Sequence, residues 1–140
     1  MRFETIIAAV DGGEPGHRAV LAGRELASLS GGRLILLHVQ EVLGLPDSPE
    51  EYDLERKEEV EEILRRESAV ARELGASVSL RVEKTSASEV AGAIVRVAAE
   101  ESADVIVMGS RGLSALSAIV VGSNAYKVLH LADRPVLIVH

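Results

Sequence analysis

The sequence predicts an α/β domain: a doubly wound, Rossmann-like, five-stranded parallel sheet with helices on both faces. Three observations carry this. Short apolar runs recur near 5–11, 33–39 and 104–109, the mark of strands buried on both faces. Between them lie stretches whose apolar residues fall at helical spacing. Turn or cap signals ("DGGEPG", Gly31-Gly32, Gly75, "SASE") stand where the period changes. Strands that alternate with helices over short connections form parallel sheets.

"TIIAAVD" (5–11) reads as the first strand. Pro15 suits the first turn of the helix that follows, where its missing N–H is no loss. That helix carries Val20, Leu26 and Ala27, and Gly31-Gly32 stops it. "RLILLHV" (33–39) is the second strand. Residues 41–49, with Gly44, Pro46 and Pro49, read as a loop. From Glu50 to Leu74 a charge-rich stretch places Val60, Ile63, Leu64, Ala71 and Leu74 on one side, an amphipathic helix ended by Gly75. Its charge run reads as a solvated face supported by pairs one turn apart. "SVSLRVE" (77–83) alternates and reads as a strand near a sheet edge. Ser86 and Glu89 have capping-box spacing before a helix with Val90, Ile94, Val97 and Ala98. "DVIVMG" (104–109) is the fourth strand. A short helix over about 123–131 leads to "RPVLIVH", the last strand.

The 140 residues have the usual size of one domain, and no repeat or low-complexity segment divides 1–140. Apolar residues make up 47% and charged residues 26%, which fits a soluble globular chain. With no cysteine there is neither a disulfide framework nor a thiolate metal site. The start lacks the apolar stretch of a signal peptide and no run reaches transmembrane length, so the expectation is a cytoplasmic protein with no membrane partner. A net charge of −7 argues against nucleic acid as a partner, which requires a basic face. Phe3, Tyr52 and Tyr126 are too few aromatics for a base-stacking platform. A nucleotide here would be held by backbone and aliphatic groups.

Ligands of such sheets bind beyond the carboxyl ends of the strands, where strand order reverses. Three segments leave strands there: Val10-Asp11-Gly12-Gly13, His38-Val39-Gln40, and Met108-Gly109-Ser110-Arg111-Gly112. The last continues to Gly122-Ser123-Asn124, which opens a helix. A helix start offers unpaired N–H groups and partial positive charge to a phosphate. Glycines at 109, 112 and 122 would allow positive φ and let an anion approach the backbone. Ser123 could cap the helix or donate its hydroxyl to a phosphate. Asp11 reads equally as a turn or cap residue, and Arg111 as a solvated loop arginine. His17, His38, His130 and His140 show no metal or base spacing and read as surface or packing residues, with His38 nearest the mouth.

"IIAAVDGGEPGHRAVLAGRELA", "LILLHV" and "IVRVAAEESADVIVMGSRGLSALSAIVVGSNAYKVLHLADRPVLIVH" together resemble a universal stress protein domain over nearly the whole chain. The most specific part is G-x2-G-x9-G-S, met by Gly109, Gly112, Gly122 and Ser123. Members with that pattern typically bind ATP. The resemblance implies strand order 3-2-1-4-5 and a homodimer paired through the last strand, Pro135 to His140. It places Asp11 at the ribose or at phosphate-bound Mg²⁺, and the Val39 backbone at the adenine edge. Met108 and Gly109 would line base and ribose, while Gly112, Gly122, Ser123 and Asn124 would hold phosphates. Gly12-Gly13 stands where the family often has Gly-Ser, and Asn124 where it often has Val or Ile.

The function expected is a regulatory stress protein that binds ATP or AMP with Mg²⁺ and hydrolyses it slowly or not at all. Phosphoryl transfer needs a placed cation and a group to orient the nucleophile, and Arg111 is the one basic residue inside the motif. The alternatives are a dimerisation module with an empty cleft and an adenylating enzyme. "DGGEPGH" lacks the S-G-G-x-D-S or H-x-G-H signature of the latter. A receiver domain would need an acceptor Asp after the third strand, where "EKTSAS" stands instead.

Overall fold

Five parallel strands make the main sheet of the computed structural model, which describes residues 2–44, 51–110 and 121–140. The elements in chain order are β1 (Thr5–Ala9), α1 (Glu14–Ser30), β2 (Arg33–Gly44), β3 (Glu51–Asp53), α2 (Lys57–Arg72), β4 (Ser77–Thr85), a 3₁₀ turn (Ala87–Glu89), α3 (Val90–Glu100), β5 (Val105–Gly109), α4 (Ser123–Leu131) and β6 (Val136–Val139). The parallel strands lie in the order β4-β2-β1-β5-β6. That is the order 3-2-1-4-5 with β3 set aside.

Alternation along each strand sends neighbouring side chains to opposite faces. Ile6, Ala8, Leu34, Leu36, Val105 and Val107 point to one face, where Ala19, Val20 and Ala27 of α1 and Val60, Leu64 and Ala71 of α2 cover them. Ile7, Ile35, Leu37, Ile106 and Met108 point to the other, under Val90, Ile94 and Val97 of α3 and Ala125 and Val128 of α4. Each fully buried Ile or Leu contributes roughly 1.5–3 kcal/mol.

The structure corrects three sequence expectations. β2 does not stop at Val39 but runs on to Gly44, so the expected loop at 41–49 begins as strand; residues 45–50 lie outside the described residues. A sixth strand, β3, pairs antiparallel with that extension through Val42↔Asp53 and Leu43↔Tyr52, and α2 starts only at Lys57 rather than Glu50. The inner face of β2 carries buried His38, inside the expected strand, and buried Gln40, at the start of the extension, polar residues that break the apolar pattern. Finally, Ser86 makes no side-chain cap; its carbonyl accepts the Glu89 N–H in a 3₁₀ turn before α3.

β4 is an edge strand, as expected. On its α3 side Arg81 and Glu83 join an ion-pair network. Arg81 bonds Glu100, Glu83 (2.8 Å) and Glu101 (3.0 Å). Arg96 bonds Glu83 (2.9 Å) and Glu100 (2.7 Å), and Arg33 reaches Glu101 at 3.3 Å. Hydrogen bonding to Arg96 foremost, then to Arg81, holds the Glu83 carboxyl below the usual carboxylate range, and Arg81 does the same for Glu100.

At the other side of β1, the end of β5 touches α1. A Cβ on Gly109 would lie 2.4 Å from Pro15 Cβ and 2.6 Å from its carbonyl carbon. Glycine is required there because strand end and helix start share that space.

Two outcomes follow from these contacts. Gly109→Ala loses about 1–3 kcal/mol in urea unfolding, because the clash is with backbone; an unchanged midpoint contradicts the close approach. Glu83→Gln lowers the thermal midpoint near neutral pH. The depressed carboxyls contribute stability above the unfolded carboxylate value of about 4.3, and that contribution is lost as pH falls through their lower folded values. The gap between Glu83→Gln and the parent therefore closes on acidification, and a gap that widens in acid contradicts the assignment.

Candidate functional site

The chain passes from β1 to β2 on one side and β5 lies on the other, so strand order reverses between β1 and β5. The reversal opens a mouth at the carboxyl ends of these strands. At the end of β1, the Val10 N–H donates to Leu37 O (2.9 Å) and its carbonyl accepts from His38 Nδ1 (2.7 Å). Val10 is thus a fixed wall, its side chain in the core. Asp11 Oδ1 accepts the Gly13 N–H at 2.9 Å, which closes the turn into α1, and Gly12 takes the left-handed φ of +90° that the turn requires. Asp11 is therefore a turn residue, as one reading had it. Its Oδ2 makes no hydrogen bond among the described residues.

Val39 sits in mid-strand rather than at a strand end. β1 pairs with β2 only as far as Leu37. In a parallel ladder the main-chain groups of residues two apart point to the same side. Leu37 O points to β1, so the Val39 backbone points to the same side, past the place where β1 has ended.

At the end of β5, Met108 is buried and Gly109 lies on Pro15. Ser110 is buried; its N–H donates to Val139 O (2.9 Å), and its carbonyl accepts the Gly122 N–H. That last bond ties Gly122 to the residue that follows Gly109. Arg111 and Gly112 lie outside the described residues.

Gly122 is the N-cap of α4, with φ −60° and ψ 155° and no side-chain cap. Gly109 and Gly122 do not use positive φ, contrary to the sequence reasoning; among described glycines only 12, 31 and 75 do. Ser123 is the first helical residue rather than the cap, and it is exposed. Asn124 is half-buried beside it. The first turn of α4 carries no acidic side chain. Its leading N–H groups have no partner within the helix, and the Tyr126 N–H is the first to close on Gly122 O (2.9 Å). The arrangement suits an anion at the α4 start, with one carboxylate oxygen of Asp11 across the reversal.

Sequence reasoning missed two histidine pairings. His38, 1% exposed, also contacts Glu55 Oε2 through Nε2 at 2.9 Å, and Gln40 donates to the Glu55 carbonyl at 3.2 Å. His17 Nδ1 meets both oxygens of Glu67, itself 2% exposed, at 2.9 and 3.1 Å. This second pair lines a hollow with Gly12, Gly13, Glu14 and Arg66 between α1 and α2. Spacing could not find either pair, since the partners are 17 and 50 residues apart. Among the described residues no three His, Asp or Glu side chains group as metal ligands.

Residues 2–140 match the model of the Universal stress protein family. A universal stress protein of Thermus aquaticus, named for the 3′ region of a QAH/OAS sulfhydrylase, is 35% identical over 141 residues and covers 98% of each chain. Universal stress protein YxiE of Bacillus subtilis is 32% identical, covering 98% of this chain and 99% of its own. Among solved structures, a universal stress protein in complex with cAMP has 26% identity and a TM-score of 0.75, covering 100% of this chain and 98% of that one. The universal stress protein from Archaeoglobus fulgidus in complex with dAMP has 25% identity and a TM-score of 0.73, covering all of both chains. On sequence over its whole length and on fold, this chain belongs to the universal stress protein family.

Proposed function

We propose that this chain is a regulatory stress protein that binds ATP or AMP at the carboxyl ends of β1, β2 and β5. The observation that carries the reading is the bond from Gly122 N–H to Ser110 O, which seats the uncapped start of α4 beside the end of β5. Two related structures, at 26% and 25% identity, hold cAMP and dAMP, ligands of the same adenine class. In this reading the Val39 backbone meets the adenine edge, and Met108 and Gly109 line base and ribose. The N–H groups of Ser123 and Asn124, with Gly112, Gly122 and Arg111, hold the phosphates.

The free Asp11 oxygen contacts the ribose or a Mg²⁺ carried on the phosphates. One carboxylate with phosphate oxygens and water is a sufficient Mg²⁺ environment, and Asp11 has one oxygen to give. Bound Mg²⁺ would supply charge neutralisation to the phosphates. Hydrolysis is slow or nil in this reading, since phosphoryl transfer needs a placed cation and a group to orient the nucleophile, and Arg111 is the one basic residue inside the motif.

A homodimer through β6 goes with this reading. β6 is an edge strand with Leu137 40% exposed, and Tyr126, Leu129 and Leu131 of α4 are exposed nearby. An apolar edge strand invites pairing. A cytoplasmic location is part of the same reading; no described helix is long and apolar enough to cross a membrane. A dimerisation module with an empty cleft is the reading that remains if no nucleotide binds.

The test is mass spectrometry of nucleotide released from the purified protein, followed by calorimetry with ATP and AMP. Retained or added adenine nucleotide is expected to bind, and Gly122→Val to weaken binding at least about tenfold with an unchanged unfolding midpoint. The backbone at Gly122 is extended, a conformation Val adopts without strain, and the unfolding midpoint separates a loss of ligand contacts from a loss of the N-cap. Equal affinity in parent and Gly122→Val removes the phosphate site from α4.

A further inference from the structure

We propose that His38 and Glu55 form a proton-dependent latch that fastens the segment from β3 to α2 against the mouth. One ring stands between two acceptors. His38 Nδ1 lies 2.7 Å from the Val10 carbonyl, which can only accept, so Nδ1 carries a hydrogen. Nε2 lies 2.9 Å from Glu55 Oε2. A neutral ring protonated at Nδ1 would present a lone pair to an ionised carboxylate, and two acceptors do not bond. The contact therefore holds one further proton, either on the ring or on the carboxyl. Loss of that proton leaves one hydrogen between two acceptors; Val10 is buried and its carbonyl cannot turn to water, so the ring keeps Nδ1–H and the contact to Glu55, 26% exposed, opens.

Among the described residues no other side chain bonds the His38 ring or the Glu55 carboxylate. On the same strand face Gln40 donates to the Glu55 carbonyl, not to the ring. Across the ladder His38 stands beside Val82 of β4. Glu83 faces α3 and is held by Arg81 and Arg96. α2 turns apolar Val60 and Leu64 to this side of the sheet, while its Glu59 pairs with Arg56 at the surface. From the β1 side Asp11 is turned to Gly13, and Arg66 reaches the Gly12 carbonyl at 3.4 Å.

The second histidine limits what the latch can move. His17 Nδ1 can donate to Glu67 whether or not the ring is charged, so that pair needs no extra proton and the body of α2 stays docked. Release is confined to the segment around Leu54 to Arg56, tied otherwise by Leu54 N–H to Glu41 O (3.1 Å) and by Gln40, and held at its β3 end by the pairing of Asp53 with Val42 and by Lys84 Nζ on Asp53 (3.1 Å). The latch stands on hydrogen-bond geometry alone and does not need the nucleotide reading.

The test is amide hydrogen exchange of residues 53–56, corrected for the chemical exchange rate, with ¹⁵N signals of the His38 ring as a second readout. Histidine ordinarily changes charge between about pH 5 and 8, and a hydrogen bond to a charged group is worth roughly tenfold or more in an equilibrium. Protection of 53–56 is expected to fall about tenfold from pH 5.5 to about 8.5. In Glu55→Gln the carboxamide N–H donates to neutral Nε2, so protection stays high across the range; in Glu55→Ala it is low throughout. Identical pH profiles in the parent and Glu55→Gln overturn the latch. So does a His38 ring that loses its Nε2 proton in the parent while 53–56 stay protected, a result that does not depend on any variant folding.

Discussion

The main chain of Ser110 is the joint on which the mouth depends. Its N–H is bound to β6 at Val139 and its carbonyl to Gly122 at the start of α4. One residue earlier, Gly109 leaves no side chain between β5 and the Pro15 turn of α1. Three elements are thus fixed to two consecutive residues at the sheet reversal. The N-termini of α1 and α4, packed on opposite faces of the sheet, both come to its carboxyl end. Each helix start carries partial positive charge, and neither has a side-chain cap.

This geometry explains how a chain of net charge −7 could accept an anion. Much of the acidic surface is locally neutralised. Glu59, Glu61 and Glu62 on α2 pair with Arg56, Lys57 and Arg65, and Glu83, Glu100 and Glu101 are matched by Arg33, Arg81 and Arg96. At the reversal the polarity comes from main-chain amides instead, which carry no net charge and do not titrate. The two histidine–carboxylate pairs, His38 with Glu55 and His17 with Glu67, stand behind the mouth.

Much of the fold was legible because the buried strands are largely apolar runs and the starts of α1 and α4 are marked by Pro15 and Gly122. The extension of β2 was not. His38 and Gln40 are buried polar residues whose partner, Glu55, is brought to them only by the turn through β3. A three-residue strand gives no period to read. At the site, Asp11, Gly109 and Gly122 were legible as positions but not as mechanisms. Gly109 answers to the bulk of Pro15 rather than to positive φ, and Gly122 is the cap that Ser123 was expected to be. Both causes lie in tertiary contacts or in a one-residue shift of a helix boundary, which spacing does not resolve.

The most direct measurement of the central claim is a ¹H–¹⁵N titration of the protein with Mg²⁺ and ATP, read at each backbone amide. If the amides gathered by Ser110 bind the polyanion, the largest shifts fall on Asp11, Val39, Gly109, Ser110 and Gly122 to Ala125. Shifts confined to Gly12, Gly13, His17, Arg66 and Glu67, in the hollow between α1 and α2, or no shifts at millimolar ATP, would contradict it.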